Sequence, residues 1–178
     1  FLLSSNLGEL MTMFVAVAMG LASPLKSSHI LWINLITDSL PALALGVDKN
    51  DRKSLMRCSP RKASESLFAR GGMACTLWYG ALITGIGLVA FLVLPCGILN
   101  NKGVPFQNPL LYIGKIKELL EQESILARSQ TYAFTVLGMC QLYHAVGMRD
   151  VQKSIFRMKP KDNPLMIAAC VIGFVLQI

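Results

Sequence analysis

The sequence predicts an all-α fold, a polytopic transmembrane helix bundle, and three observations favour this class. Of 178 residues, 53% are hydrophobic and only 15% are charged, and the mean hydropathy of +0.52 is typical of membrane proteins. The apolar residues gather into five stretches that approach or reach the length of about 20 residues with which a helix crosses a bilayer. The segments between these stretches alternate between strongly basic and nearly balanced charge.

The predicted spans cover residues 1–21, 29–47, 71–94, 131–148 and 164–178. A short connection containing Pro24 joins the first two, which predicts an antiparallel helical hairpin. The chain begins and ends inside apolar stretches. We therefore expect residues 1–178 to be a single transmembrane domain fragment, truncated at both ends, from a longer protein.

The connections predict which side of the membrane each loop occupies. Segment 48–70 carries seven Lys or Arg residues against three acidic ones, and segment 149–163 carries five against two. Of the other two connections, 22–28 has one basic residue, and 95–130 has nearly equal numbers of basic and acidic residues. The positive-inside rule therefore predicts that 48–70 and 149–163 are cytoplasmic and that 22–28 and 95–130 are extracytoplasmic. This orientation accounts for the basic pI of 9.3 without a nucleic-acid partner.

Within the long connection, residues 110–128 mix apolar and charged side chains at helical spacing. They predict a short amphipathic helix near the outer surface.

Two acidic residues, Glu9 and Asp38, lie inside the predicted spans, and no Lys or Arg of those spans is available to neutralise them. A charge near the centre of a bilayer costs about 2.5 kcal/mol or more, so such residues usually face a polar interior and have a function. Asn6 lies three residues before Glu9, and Asn34 and Thr37 share a helix face with Asp38. The two helices of the hairpin are thus expected to point carboxylate, amide and hydroxyl oxygens towards each other.

Oxygen donors of this kind suit a hard cation such as calcium, whereas zinc or copper would favour His or Cys. The two histidines, His29 and His144, lie near span ends and are interpreted as interfacial residues. Pro41, three residues after Asp38, interrupts the helix at that level and leaves backbone carbonyls available to an ion. The alternative, two protonated carboxyl groups that bond between helices, remains open.

The motifs around these residues resemble a known family. The segments Ser4–Glu9 (SSNLGE), Leu31–Ala42 (LWINLITDSLPA) and Leu43–Gly46 (LALG) resemble the fifth and sixth transmembrane helices of P-type calcium-transporting ATPases. The basic loop with Ser59-Pro60-Arg61 fits the same family, and the later spans resemble its seventh to ninth helices.

The resemblance implies a ligand set and a site that is incomplete within this chain. Asn34 and Asp38 would be ligands of the calcium site that all these pumps share, with a glutamate of the fourth helix, upstream of Phe1, as their partner. Asn6, Glu9 and Thr37 match residues of a second site, where the family uses a further glutamate at the position of Gln141. Because Gln141 is neutral, we expect one calcium ion per cycle and a proton-exchanging role for Glu9.

The resemblance also implies the chemistry of the longer protein: ATP-driven calcium export or sequestration with proton counter-transport. ATP and magnesium would be bound by cytoplasmic domains outside this chain, which lacks the Asp-Lys-Thr-Gly phosphorylation motif and is not expected to hydrolyse ATP alone. Expected partners are the lipid bilayer and the missing N-terminal helices and cytoplasmic domains of the same protein. The expected location is the plasma membrane of a bacterium or an organelle membrane.

Three alternatives remain. A secondary cation/proton exchanger also uses intramembrane carboxylates, but it predicts an inverted repeat, and the Asn34–Asp38 pattern has no second copy. A noncatalytic membrane module would bind only a partner protein. A P-type pump for sodium, potassium, protons or manganese would keep the same architecture.

Overall fold

The computed structural model describes residues 1–48, 68, 71–104, 109–149 and 163–177. These parts of the chain form helices and connecting turns, with no strand among them, so the all-α prediction is confirmed. In chain order the helices are α1 (Leu2–Ala18), α2 (Ser27–Trp32), a π-helical segment (Ile33–Thr37), α3 (Ser39–Gly46), α4 (Gly72–Asn101), α5 (Pro109–Leu120), α6 (Glu123–Gly147) and α7 (Pro164–Gln177). The predicted cytoplasmic segments 48–70 and 149–163 lie mostly outside the described residues.

Helix α1 ends in a glycine turn that directs the chain back into the bundle. Gly20 has a φ of 73°, a left-handed conformation that glycine adopts without steric penalty. The N–H of Gly20 donates to the carbonyl of Val17, and the N–H of Leu21 donates to that of Ala16. These two bonds form a Schellman motif and satisfy carbonyls at the helix end. A turn of eight residues, 19–26, then leads into α2.

The second predicted span is one interrupted helix, made of α2, the π-helical segment and α3. The N–H of Asp38 donates to the carbonyl of Ile33 five residues back, at 2.9 Å. Pro41 has no N–H and cannot bond to the carbonyl of Thr37. Such π-helical turns are rare and often mark functional sites. The interruption expected beside Asp38 is therefore present, and it extends one turn towards the N-terminus.

Two boundaries differ from the sequence-based prediction. Helix α4 continues through Pro95 to Asn101, seven residues beyond the predicted end of the third span. Proline removes a single helical hydrogen bond, and a buried Pro95 is tolerated where neighbouring helices pack around it. The predicted amphipathic helix is shorter than expected: α5 ends at Leu120, and residues 123–128 belong to α6.

The helices form one bundle in which α1 packs along α4, α4 along α6, and α3 against α7. The larger core joins α1, α4, α5 and α6 around Phe91 and Leu137, which are fully buried. Among the described residues, Gly72–Asn101 is long and apolar enough to cross a membrane, and Leu2–Ala18 and Pro164–Gln177 are shorter apolar helices.

Candidate ion-binding site

Asp38 lies at the junction between the π-helical segment and α3. Its side chain is 1% exposed, and neither carboxylate oxygen has a hydrogen-bond partner among the described residues. Burying a carboxylate without a partner is costly, because the group loses its hydration and gains nothing in return. This arrangement is favourable only when something outside the described residues, such as a cation or a proton, satisfies the oxygens.

Glu9 lies on the face of α1 that points into the bundle, and it is 4% exposed. The Nε2 atom of Gln141, from α6, donates to Glu9 Oε1 at 2.5 Å. The Glu9 and Asp38 carboxylates are close enough for their charges to interact, and Asn34 lies beside Glu9. Residues that are 25 to 132 positions from Glu9 in the sequence thereby come together in one polar cluster.

Gln141 contributes a second atom to this cluster. The residue is fully buried, and its Oε1 atom has no hydrogen-bond partner in the described part of the chain. While Nε2 binds Glu9, this amide oxygen remains available as an acceptor or as a neutral ligand.

A groove of about 800 Å³ opens onto the same cluster. The polar residues Asn6, Asn34, Asp38 and Ser39 line it, together with apolar residues of α1 and α3. Asn6 and Asn34 are exposed there, whereas Thr37 is buried and, in the described structure, is not part of the groove lining. The six residues singled out from the sequence thus divide into a groove-lining set, Asn6, Asn34 and Asp38, and an interior set, Glu9, Thr37 and Gln141.

Close packing of α1 against α4 sets the position of Glu9 within the helix bundle. A Cβ atom at Gly8 would lie 2.6 Å from Ile83 Cγ2, and one at Gly80 would lie 2.9 Å from Leu7 Cδ2. Small residues permit such close approach between membrane helices. Thr84 Oγ1 also lies 3.2 Å from the carbonyl oxygen of Gly8, to which it donates. These contacts surround the residue directly before Glu9.

His144 makes contacts that its position near a span end does not predict. Its ring, carried by α6, is partly buried against α1 and α4, and its Nε2 atom lies 2.7 Å from Ser4 Oγ. The rings of Phe1 and Tyr79 pack against it, with centroid distances of 5.6 and 4.6 Å. An isolated histidine gives no sequence signal for such a pairing, because its partner Ser4 is 140 residues away.

The groups that this cluster and the groove offer to an ion are two carboxylates and the amide oxygens of Asn6, Asn34 and Gln141, and Thr37, directly before Asp38, has a buried hydroxyl. No group of three or more His, Cys, Asp or Glu residues forms among the described residues. Hard cations such as calcium are bound by mixtures of carboxylate, amide and carbonyl oxygens.

Fold and site together define a class: an all-helical protein, rich in apolar helices, with two carboxylates buried beside an interrupted helix. A family model described as "Cation transporting ATPase, C-terminus" matches residues 22–178. The chain therefore belongs to the cation-transporting ATPase family and corresponds to its C-terminal part, as the resemblance predicted.

Individual relatives agree with the family match. The chain is 39% identical over its whole length to "Calcium-transporting ATPase 1" of Bacillus cereus and 33% identical to "Calcium-transporting ATPase" of Bacillus subtilis. It is 27% identical to "Calcium-transporting ATPase 3, endoplasmic reticulum-type" of Arabidopsis thaliana. In each comparison the whole chain is aligned, but it spans only 19%, 17% and 18% of the relative's length. Most of each relative therefore lies outside the region that this chain matches.

Proposed function

We propose that this chain is the membrane part of an ATP-driven calcium pump and that it contributes calcium ligands from its first two spans. The observation that carries the proposal is the buried Asp38 carboxylate, whose two oxygens have no partner in the described structure. A cation supplies what these oxygens lack. The names of the relatives support calcium as the transported ion.

In this proposal Asn34 and Asp38 are the central ligands, and Asn6 completes the groove-lining set. The groove is open in the described structure, which is consistent with a further ligand from a helix upstream of Phe1. Glu9, Thr37 and Gln141 form the interior set. The Glu9 carboxylate, held by Gln141, exchanges protons during the cycle, and one calcium ion is carried per ATP.

The membrane topology is also proposed. Five spans, with segments 48–70 and 149–163 on the cytoplasmic side, agree with the charge distribution. ATP and magnesium bind to cytoplasmic domains outside this chain. The motions of those domains are transmitted to the ion site through the helices. The membrane is a bacterial plasma membrane or that of an organelle.

Alternative ions are sodium and manganese, which the same oxygen donors accommodate. A secondary cation/proton exchanger is less well supported, because the relatives are named as ATPases.

The test replaces Asp38 in the full-length protein. Asp38→Asn keeps the size of the side chain and removes its charge, and we expect it to abolish calcium-dependent phosphorylation by ATP. Glu118→Gln is the matched control, because it makes the same change at an exposed position of α5. Unchanged calcium dependence in Asp38→Asn would overturn the ligand assignment, and activation by sodium or manganese alone would overturn the choice of calcium.

A further inference from the structure

Helix α3 begins directly after Asp38, at its junction with the π-helical segment. The π-helical segment and Pro41 interrupt the regular bonding on that side. The N–H of Ala42 donates to the carbonyl of Asp38 at 3.0 Å, which joins Asp38 to α3. The position of α3, together with the bond from the Asp38 N–H to Ile33, therefore sets where the Asp38 carboxylate points.

Asn163, directly before α7, holds the other end of α3. Its Nδ2 atom donates to the carbonyl oxygen of Ala44 at 2.8 Å. Its Oδ1 atom accepts from the backbone N–H of Met166 at 3.0 Å, which is the usual bond of an N-cap residue. Asn163 is 4% exposed, so one buried amide caps α7 and binds α3 at the same time.

Two other contacts strengthen this end of α3. Ala44 packs in a buried apolar cluster with Met166 and Ala169 of α7. One turn further on, Arg149 Nε lies 2.5 Å from Asp48 Oδ2. All of these contacts lie on the C-terminal side of Asp38. They connect the C-terminal end of α3 to α7 and to the end of α6, neither of which carries Glu9 or Asp38.

We propose that Asn163 is a positioning residue for the cation site: its bridge from α7 to Ala44 holds α3 so that Asp38 faces the Glu9 cluster. The inference rests on the proposed function, and it adds a residue that contacts none of the ligands. Loss of the bridge lets α3 shift and weakens cation binding without touching the nucleotide-binding domains.

The experiment uses three variants of the full-length protein. Asn163→Ala removes both hydrogen bonds. Asn163→Asp keeps the acceptor for Met166, and a negative charge suits a helix N-terminus, but an ionised carboxylate cannot donate to Ala44. Gln177→Ala is the matched control, because Gln177 Nε2 also donates to a helix carbonyl, that of Phe134 at 3.2 Å, but it does not contact α3.

Each protein is titrated with calcium, manganese and sodium, and ATP-dependent phosphorylation is measured for whichever cation activates it. We expect both Asn163 variants to raise the half-saturating cation concentration by about fivefold or more, the lower range of coupling between distant sites. The KM for ATP should stay unchanged. Gln177→Ala should keep the half-saturating concentration of the unaltered protein.

Three results would overturn the inference. In the first, Asn163→Asp behaves like the unaltered protein, so that only the cap matters. In the second, the Asn163 and Gln177 variants lose maximal activity equally and the half-saturating cation concentration does not change. Such a result would mean that Asn163 contributes only to packing. In the third, no cation activates the unaltered protein, in which case the proposed function fails first and this inference with it. The first two results leave the proposed function intact.

Discussion

The contact between Gly8 and Ile83 offers a sharp test of how the bundle positions Glu9. In Gly8→Ala the new methyl group would lie 2.6 Å from Ile83 Cγ2 and 2.8 Å from Ile83 Cβ. Ordinary carbon contacts are about 3.5–4.0 Å, so α1 and α4 must separate by about 1 Å. Ile83 is buried and β-branched, and it has little rotamer freedom with which to retreat.

The free-energy balance can be worked from this geometry. Overpacking of this kind costs about 1–3 kcal/mol, and replacing a mid-helix glycine by alanine returns about 1 kcal/mol. Gly8→Ala is therefore expected to be between neutral and about 2 kcal/mol less stable. Gly85→Ala is the matched control on α4, because a Cβ there meets nothing within 4 Å, and it should gain up to about 1 kcal/mol.

The assay is carried out on the full-length protein in detergent. Resistance to thermal inactivation reports stability, and the half-saturating calcium concentration reports the site. Because Glu9 follows Gly8 directly, separating the helices pulls its carboxylate away from Gln141, and Gly8→Ala should need more calcium. If Gly8→Ala matches Gly85→Ala in both measurements, the close packing does not position Glu9.

Two further predictions concern the interior set of candidate ligands and the number of ions carried. Gln141→Leu removes the amide that donates to Glu9 Oε1 at 2.5 Å, and it should weaken calcium activation without abolishing it. The half-saturating calcium concentration is measured by titration, with Asp38→Asn titrated in parallel. Complete loss of calcium activation would instead make Gln141 a central ligand. Reconstituted full-length protein should move one calcium ion per ATP, measured by uptake against phosphate release, and a ratio of two would overturn the single-ion proposal.

The sequence was sufficient to predict the helical fold and to single out Glu9 and Asp38, the two buried carboxylates. Glu9 and Asp38 could be found because a carboxylate in an apolar stretch is conspicuous, and Pro41 because its chemistry interrupts any helix. The family match and the named relatives agree with the resemblance that these motifs carried.

Other features depend on packing between helices that are distant in sequence. Asn163 carries no signal that it reaches Ala44, and Ser4 carries none that it pairs with His144. The end of α4 was misjudged for a different reason: Pro95 reads as a helix end, but surrounding helices keep the segment helical. Local patterns therefore singled out the candidate ligands, whereas the contacts around them required the structure.

Charge balance gives a physical reason to expect one ion rather than two. The described cluster contains two carboxylates, Glu9 and Asp38, and the third position that could carry a charge is the neutral Gln141. With the fourth-helix glutamate that the proposed site adds, the site would hold at most three negative charges. These neutralise one calcium ion completely, whereas a second ion would leave one uncompensated positive charge in a buried site, which the low dielectric makes costly. Asp38, with both oxygens unpartnered, gains most from the first ion. Glu9 already has an amide donor and can respond to the change in local charge by exchanging a proton.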